Sequence, residues 1–238
     1  MAISLSIINF TLTMNTFEVE IKVLLWEEEN VKSLIEKLHI HPDTKHIWWS
    51  NQLNHYFLAD GDFYQLEEKI KTHILPNNHE KLKHILVHGK KHSIRTRDAD
   101  GKIFFVIKAT ADETSSENWT ARLEFEEETS WLTIHDLDAL ILDSWFTYQS
   151  KWSRKRKDYI YKDFNVSIDK NAWYGYLVEF EKIISNPEEI DQAKQSIRNE
   201  LNLLWIEELP QDRLERMFAF YNANWPEYYG TEKTFIIL

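Results

Sequence analysis

Cysteine is absent from this chain of 238 residues, and glycine and proline occur only five times each. Without cysteine the protein can have neither a disulfide framework nor a thiolate metal site, which is compatible with a reducing compartment. The first residues lack the positively charged segment that opens a secretion signal, so we expect the protein in the cytoplasm. The scarcity of glycine and proline argues against a linker-rich or repeat architecture.

Basic residues are fewer than acidic residues in this chain. Lysine and arginine total 28 against 39 aspartates and glutamates, which gives a formal net charge of −11. A chain this acidic is poorly suited to general nucleic-acid binding or to an anionic membrane surface, and we predict neither partner. If the protein binds a polyanion, it must do so through a local basic cluster or through metal ions.

Hydrophobic residues make up 43% of the chain, which is enough for a well-packed core. From Phe17 to Leu25 apolar and charged residues alternate with period two, as in a half-buried strand. Similar patterns predict further strands, and apolar residues at helical spacing predict helices. Strands are expected at residues 17–25, 54–58, 93–97, 102–108, 120–128, 148–157, 159–169 and 176–184, and helices at 29–38, 65–73, 134–141, 188–205 and 211–221.

This order, mostly strands and then helices, predicts an α+β protein. We divide the chain into a leader of unknown structure (1–16), a strand-rich domain (17–186) and a helical C-terminal extension packed on it (187–238). The extension could cover one end of the domain, form a homodimer or bind another partner. Trp48 and Trp49 are expected to serve packing rather than base stacking, and residues 81–91 to form a solvated basic segment.

One face of the predicted strands carries long charged side chains almost throughout, while the opposite face is apolar. In a single strand this pattern most often marks a face turned to water. Its recurrence in most of the strands is unusual, because serine and threonine, the common residues of a water-facing strand, are scarce at these positions. The charged positions are Glu18, Glu20, Lys22, Arg95, Arg97, Lys108, Arg122, Glu124, Glu126, Arg154, Arg156, Asp169, Glu179 and Glu181.

If the sheet closes, this charged face lines the interior of a barrel of about eight strands, which is wide enough for a small ligand. Each charge taken out of water costs several kcal/mol unless it is paired. A ligand that carries both signs is the simplest account, because arginine and lysine bind phosphate oxygens and carboxylates bind Mg²⁺ or Mn²⁺. The sequence therefore predicts a site for phosphate groups together with divalent metal ions.

The same residues resemble the CYTH domain, also called the triphosphate tunnel metalloenzyme superfamily. No single motif is specific, but the motifs occur in the correct order and on strands of the correct phase, and the resemblance covers residues 17–184. The matching segments are, in order, Glu-x-Glu-x-Lys at residues 18–22, Arg-x-Arg at 95–97, Lys108, Arg-x-Glu-x-Glu at 122–126, Arg-x-Arg at 154–156, Asp169 and Glu-x-Glu at 179–181.

The resemblance implies a closed, eight-stranded antiparallel β-tunnel that binds a triphosphate with one or two divalent metal ions. Known members include inorganic and thiamine triphosphatases, RNA 5′-triphosphatases and class IV adenylate cyclases. By position, the residues that would hold or support Mg²⁺ or Mn²⁺ are Glu18, Glu20, Glu124, Glu126, Asp169, Glu179 and Glu181. Those that would bind triphosphate oxygens are Lys22, Arg95, Arg97, Lys108, Arg122, Arg154 and Arg156.

Three classes of activity fit this interpretation. A metal-dependent triphosphatase would use Glu18 or Glu20 to orient water for attack on the terminal phosphorus, and we favour it because hydrolysis demands least of the site. A class IV-type adenylate cyclase would make cyclic AMP and pyrophosphate from ATP, but no nucleoside pocket is recognised. A binding module without chemistry would need the basic residues more than the full acidic set.

Overall fold

The computed structural model describes residues 17–110 and 119–236, with side chains throughout except at residues 119–122. The expected leader (1–16) lies outside the described residues. The strands are β1 (Phe17–Trp26), β2 (Lys45–Phe57), β3 (Lys90–Ala99), β4 (Lys102–Thr110), β5 (Trp119–Glu128), β6 (Tyr148–Tyr161), β7 (Phe164–Asn171) and β8 (Gly175–Ile184). The α-helices are α1 (Glu28–Ile40), α2 (Phe63–Lys71), α3 (His79–His88), α4 (Ile134–Leu142), α5 (Ile190–Leu204) and α6 (Gln211–Asn224).

All neighbouring strands pair in the antiparallel sense, in the order β1-β5-β4-β3-β2-β6-β7-β8. Because β1 also pairs with β8, the order returns to its first strand and the sheet forms a barrel. The seam between β1 and β5 is short and runs from the pair Glu18–Arg122 to the pair Ile21–Trp119. The predictions of an α+β protein and of an eight-stranded antiparallel sheet are confirmed.

The outer face of the barrel is apolar where helices cover it, and five of the described helices lie against it. Val19 of β1 packs in one buried cluster with Leu34 of α1 and residues of α5. On the other side, Phe105 of β4 packs in a second cluster with Leu66 of α2, Leu137 of α4 and residues of α3. Successive side chains of a strand point to opposite faces. Since one set packs against the helices, the alternate set points into the interior of the barrel.

Helix α6 covers one end of the barrel. Leu24 and Leu177 lie opposite each other on β1 and β8, and both belong to an apolar cluster with Leu214 and Met217 of α6, which are fully buried. This covered end therefore has an apolar floor. The boundary placed between residues 186 and 187 stays a prediction. Among the helices of the described residues, none combines the length and the apolar character needed to cross a bilayer.

Several local predictions are wrong. Residues 79–88 form α3 and bury Leu82 and Ile85 on one side, where a solvated basic segment was expected. Strand β2 begins at Lys45, well before the predicted start, and β6 continues through residues that were assigned to the following strand. Trp48 and Trp49 are 43% and 50% exposed, so they do not serve interior packing.

Candidate functional site inside the barrel

The strand register places the charged series on the inner face of the barrel. Lys22 lies opposite Glu179 across the β1–β8 pair, and Lys108 lies opposite Glu124 across the β4–β5 pair. The same alternation assigns each of the other members of the series to this face. Arg122 is placed there by its backbone register alone, because its side chain is not among those described.

These charged groups are largely removed from water. Arg95 and Arg97 of β3 are 8% and 7% exposed, and Asp169 of β7 is fully buried. Charged residues are almost never buried to this degree unless they are paired. Each described member of the series in fact takes part in ion pairs or hydrogen bonds, and the pattern of partners divides the interior into a basic and an acidic part.

The basic part is a cluster of guanidiniums from β3 and β6. Arg97 donates from Nη1 to Oε1 of Glu126 at 2.6 Å. Burial lowers the pKa of the Arg97 guanidinium, and although Glu126 raises it, repulsion by three neighbouring guanidiniums lowers it again. Those neighbours are Arg95, Arg154 and Arg156. Positive charge is therefore crowded in this part of the interior, which favours an anionic ligand.

Arg95 carries a buried donor without an acceptor. Its Nη1 donates to the hydroxyl of Tyr56 at 2.8 Å, and its Nη2 lies 3.9 Å from Oε1 of Glu124. Its Nε is buried and has no hydrogen-bond partner. Since an unpaired buried donor is costly and uncommon, its presence here favours a ligand that brings acceptor oxygens.

Asp169 neutralises the two arginines of β6. Arg154 donates from Nη1 to Oδ2 of Asp169 at 2.8 Å, and Arg156 binds both carboxylate oxygens at 2.7 and 2.6 Å. Arg156 also donates to Oε2 of Glu179 at 2.7 Å. Asp169 and Glu179, which the family resemblance offers as metal ligands, therefore serve as counterions of arginine in this structure.

The acidic part lies around Lys108. Its Nζ is 2.9 Å from Oε2 of Glu18 and 2.8 Å from Oε2 of Glu124. Burial raises the pKa of Glu18 well above its ordinary value, and repulsion by Glu124 raises it further. Burial likewise raises the pKa of Glu181 to about 7, with repulsion by Glu124 and Glu20 adding to the effect. Lys108 does not balance the negative charge around it.

Lys22 links the two parts. Its Nζ lies 2.7 Å from Oε1 of Glu20 on its own strand and 3.7 Å from Oε1 of Glu179 on β8. Glu179 is also the partner of Arg156, so a chain of ion pairs runs from the first strand to the basic cluster. A ligand that binds at one point of this chain would change the partners along it.

The carboxylates of the acidic part fit a hard divalent cation by their chemistry, since Mg²⁺ and Mn²⁺ prefer carboxylate oxygens. The raised pKa values of Glu18 and Glu181 support this fit, because a divalent cation would relieve the repulsion that contributes to them. In this structure lysines pair with Glu18, Glu20 and Glu124, and Asn165 donates a hydrogen bond to Glu181. The described residues contain no ready group of three acidic or histidine side chains for a metal ion. Binding would therefore require these side chains to exchange partners.

Strand β2 contributes neutral polar groups that the sequence analysis did not assign to the site. These groups are spaced two residues apart along the strand, and this spacing is the signal that could have revealed them. The sequence analysis predicted a strand only at residues 54–58, which is the end of β2. Each accepts a hydrogen bond from one arginine of the basic cluster: Gln52 Oε1 from Arg154 at 2.8 Å, Asn54 Oδ1 from Arg97 at 3.0 Å and the Tyr56 hydroxyl from Arg95 at 2.8 Å.

No family model matches the chain, and no curated protein is significantly similar to it in sequence. Solved structures do share its fold. The PH1012 protein from Pyrococcus horikoshii OT3 is 20% identical, with a TM-score of 0.56 over 82% of this chain and 96% of that one. A protein from Vibrio parahaemolyticus, provisionally assigned as an adenylate cyclase, is 10% identical, with a TM-score of 0.54 over 85% and 98% of the two chains.

A third relative in structure is HpAC1 from Hippeastrum, a provisionally assigned adenylyl cyclase described as having a dominant triphosphatase activity. It is 16% identical, with a TM-score of 0.50 over 85% of this chain and 96% of its own. Identities this low are informative about the fold and not about the reaction. Together with the inward-facing charged series, these likenesses confirm the resemblance to the CYTH domain at the level of the fold.

Proposed function

We propose that this protein is a metal-dependent triphosphatase that binds a triphosphate inside the barrel and hydrolyses its terminal phosphate. The observation that carries the proposal is the buried cluster of four guanidiniums, in which burial, followed by mutual repulsion, lowers the pKa of Arg97. Arginine binds phosphate oxygens through a planar fork of donors, so several converging guanidiniums suit a chain of phosphates. The unpaired Nε of Arg95 supports the same assignment.

Glu18, Glu20, Glu124 and Glu181 would hold Mg²⁺ or Mn²⁺ next to the phosphates. The metal would supply positive charge to the phosphate oxygens as the terminal group departs. Glu126, Asp169 and Glu179 are better suited to positioning the arginines, because each accepts a short hydrogen bond from Arg97 or Arg156. This division is narrower than the metal-ligand set that the family resemblance implies.

In the proposed reaction Glu20 orients a water molecule toward the terminal phosphorus. The water oxygen forms a bond to that phosphorus while the bond to the bridging oxygen breaks, and a nearby carboxylate accepts the proton. The products are orthophosphate and the shortened phosphate chain. Arg95, Arg97 and Lys108 stabilise the negative charge on the departing groups, so that catalysis rests on positioning and electrostatics.

We further propose that the ligand enters at the end of the barrel opposite α6. Apolar residues close the α6 end. At the other end Glu128 is exposed and the side chain of Glu126 is 30% exposed, whereas that of Asp169 is 1% exposed. We call the end lined by Trp48, Glu126, Glu128 and Asp158 the entrance. A ligand whose phosphates reach the guanidiniums would leave its other end there.

The proposal is tested by incubating the purified protein with tripolyphosphate, ATP and thiamine triphosphate, each with Mg²⁺ or Mn²⁺, and by following the products with ³¹P NMR. We expect orthophosphate release that stops when EDTA is added. Pyrophosphate and cyclic AMP from ATP would instead identify a cyclase. Tight binding without turnover by folded protein would identify a binding module, and the absence of both binding and turnover would contradict the triphosphate site itself.

A further inference from the structure

Strand β2 extends beyond its neighbour β3. It pairs with β6 from Lys45 to Phe57, but with β3 only from Gln52 to Phe57. Within the described part of the chain, residues 45–51 therefore have no partner strand on the β3 side. Trp48 and Trp49 lie in this stretch and are 43% and 50% exposed. Large aromatic side chains left in water at the edge of a charged interior call for an explanation.

The two tryptophans point to opposite faces of the sheet. Gln52 hydrogen-bonds to Arg154 inside the barrel, and counting back along β2 in steps of two residues puts Trp48 on the same inner face. Trp48 lies opposite Asp158 of β6, which occupies an inner position as well. Trp49 belongs to the outer face by the same count. Only Trp48 therefore adjoins the ligand-binding interior.

Trp48 stands beside the basic cluster. Its cross-strand partner Asp158 is two residues from Arg156 on β6, which makes Arg156 a diagonal neighbour of Trp48. Diagonal neighbours on one face of an antiparallel pair lie about 7–8 Å apart and are within reach of long and aromatic side chains. A ring joined to phosphates that contact Arg156 would thus come over Trp48.

The surroundings of Trp48 suit a polar ring. Nζ of Lys102 lies 5.9 Å from the centroid of the Trp48 ring, and the Asp158 carboxylate, which accepts a hydrogen bond from Ser167 at 2.6 Å, offers acceptors on the same face. The other strongly exposed tryptophans are Trp131, Trp145 and Trp205. They differ from Trp48 in their location, because they lie at helix ends and connections, where their backbone φ is in the left-handed region.

We propose that Trp48 is the platform on which the ring of an organic triphosphate stacks, with Asp158 available to accept a hydrogen bond from an amino group of that ring. This inference rests on the proposed function, since it presumes that phosphates occupy the guanidinium cluster. It names the substrate class: a triphosphate ester of a heteroaromatic compound rather than an inorganic chain. Stacking of this kind tolerates different rings because every base presents a π-face.

The test compares two non-hydrolysed ligands, β,γ-imido-ATP and imidotriphosphate, by calorimetry in the presence of Mg²⁺. In Trp48→Ala we expect the dissociation constant of β,γ-imido-ATP to rise roughly 5- to 100-fold and that of imidotriphosphate to stay constant. Trp48→Phe keeps a ring and should lose less affinity. Trp49→Ala is the matched control: it removes an equally exposed tryptophan from the opposite face and should change neither constant.

Each of the other outcomes would contradict the proposed role of Trp48 as a stacking platform. Equal weakening of both ligands by Trp48→Ala would mean that Trp48 supports the barrel rather than the ring. No change with either ligand would mean that the ring binds elsewhere or that the natural ligand is inorganic. If the parent protein binds neither ligand, the proposed function fails as well, and this result is distinct from selective loss of the ring contribution.

Discussion

Arg156 binds Asp169 through two parallel hydrogen bonds, Nε to Oδ1 at 2.7 Å and Nη2 to Oδ2 at 2.6 Å. The two residues lie directly opposite each other on β6 and β7, so the barrel itself sets this geometry. Asp169 also accepts a hydrogen bond from Arg154 at 2.8 Å and is fully buried. It is thus the internal counterion for half of the guanidinium cluster.

Replacing Asp169 by asparagine should remove the carboxylate that pairs with Arg154 and leave Arg156 paired with Glu179 alone. Breaking a buried ion pair in this way costs about 3–5 kcal/mol, and we expect the free energy of unfolding in urea to fall by that order. Tripolyphosphate should stabilise the variant more than the parent, because its oxygens replace the missing carboxylate. Lys32→Gln, which removes an exposed pair with Glu28, is the control and should change little; an equal response of both variants to tripolyphosphate would contradict the argument.

Glu20→Gln should abolish turnover while the protein stays folded. Glu20 is 6% exposed and lies beside Lys22 in the acidic part of the interior. The amide has similar shape but can neither accept a proton nor bind a metal ion as strongly, and loss of such a group lowers kcat roughly 10²-fold or more. Orthophosphate release and circular dichroism check the two expectations. The control is Glu29→Gln, on the exposed side of α1, which should retain full activity. Normal metal-dependent turnover by Glu20→Gln would rule out a role of Glu20 in orienting water.

Arg95→Ala should weaken substrate binding more than it slows the reaction. The variant loses a guanidinium with one buried donor free for a phosphate oxygen, and a hydrogen bond to a charged group contributes about 1.5–3 kcal/mol. We therefore expect the Kd of imidotriphosphate to rise roughly 10- to 100-fold. Arg216→Ala removes a half-exposed arginine that pairs with Asp212 on α6 and is the control. An unchanged Kd in Arg95→Ala would place the phosphates elsewhere.

Acid stability should depend on Asp138, a buried residue of α4 on the outside of the barrel. Burial raises its pKa, but hydrogen bonds from His55, Tyr148 and Thr96 outweigh this and hold the pKa below its ordinary 3.8. A carboxyl whose pKa is lowered by folding stabilises the protein above its unfolded pKa, and this contribution is lost as the pH falls through the folded value.

Asp138→Asn should therefore reduce the free energy of unfolding near neutral pH and flatten its decline below about pH 4. Urea unfolding at a series of pH values from 7 to about 2 measures both effects. Asp143→Asn, at an exposed position just after α4, is the matched control. If the parent and Asp138→Asn lost stability in parallel throughout the acid range, the hydrogen bonds around Asp138 would not be the cause.

Strand periodicity let the sequence predict the inner face of the barrel. Glu18 and Lys22 alternate with the apolar residues Val19, Ile21 and Val23, and a period of two is a local property that needs no tertiary information. The start of α4, predicted at residue 134, was equally local, since Thr133 and Asp136 satisfy each other within one turn. Where the local signal was mixed, prediction failed: α3 has apolar residues at helical spacing, but the intervening histidines and lysines gave it a solvated character.

By itself the sequence determined which residues share a face, because side-chain direction follows from position along a strand. Only the tertiary structure decided which of them meet, because contacts across β2, β6 and β7 depend on strand order and register. Neither the convergence of Arg97 with Arg154, nor the apolar floor made by Met217, nor the exposure of Trp48 is encoded in any single segment. Each depends on segments far apart in the chain that come together, or fail to meet, when the barrel forms.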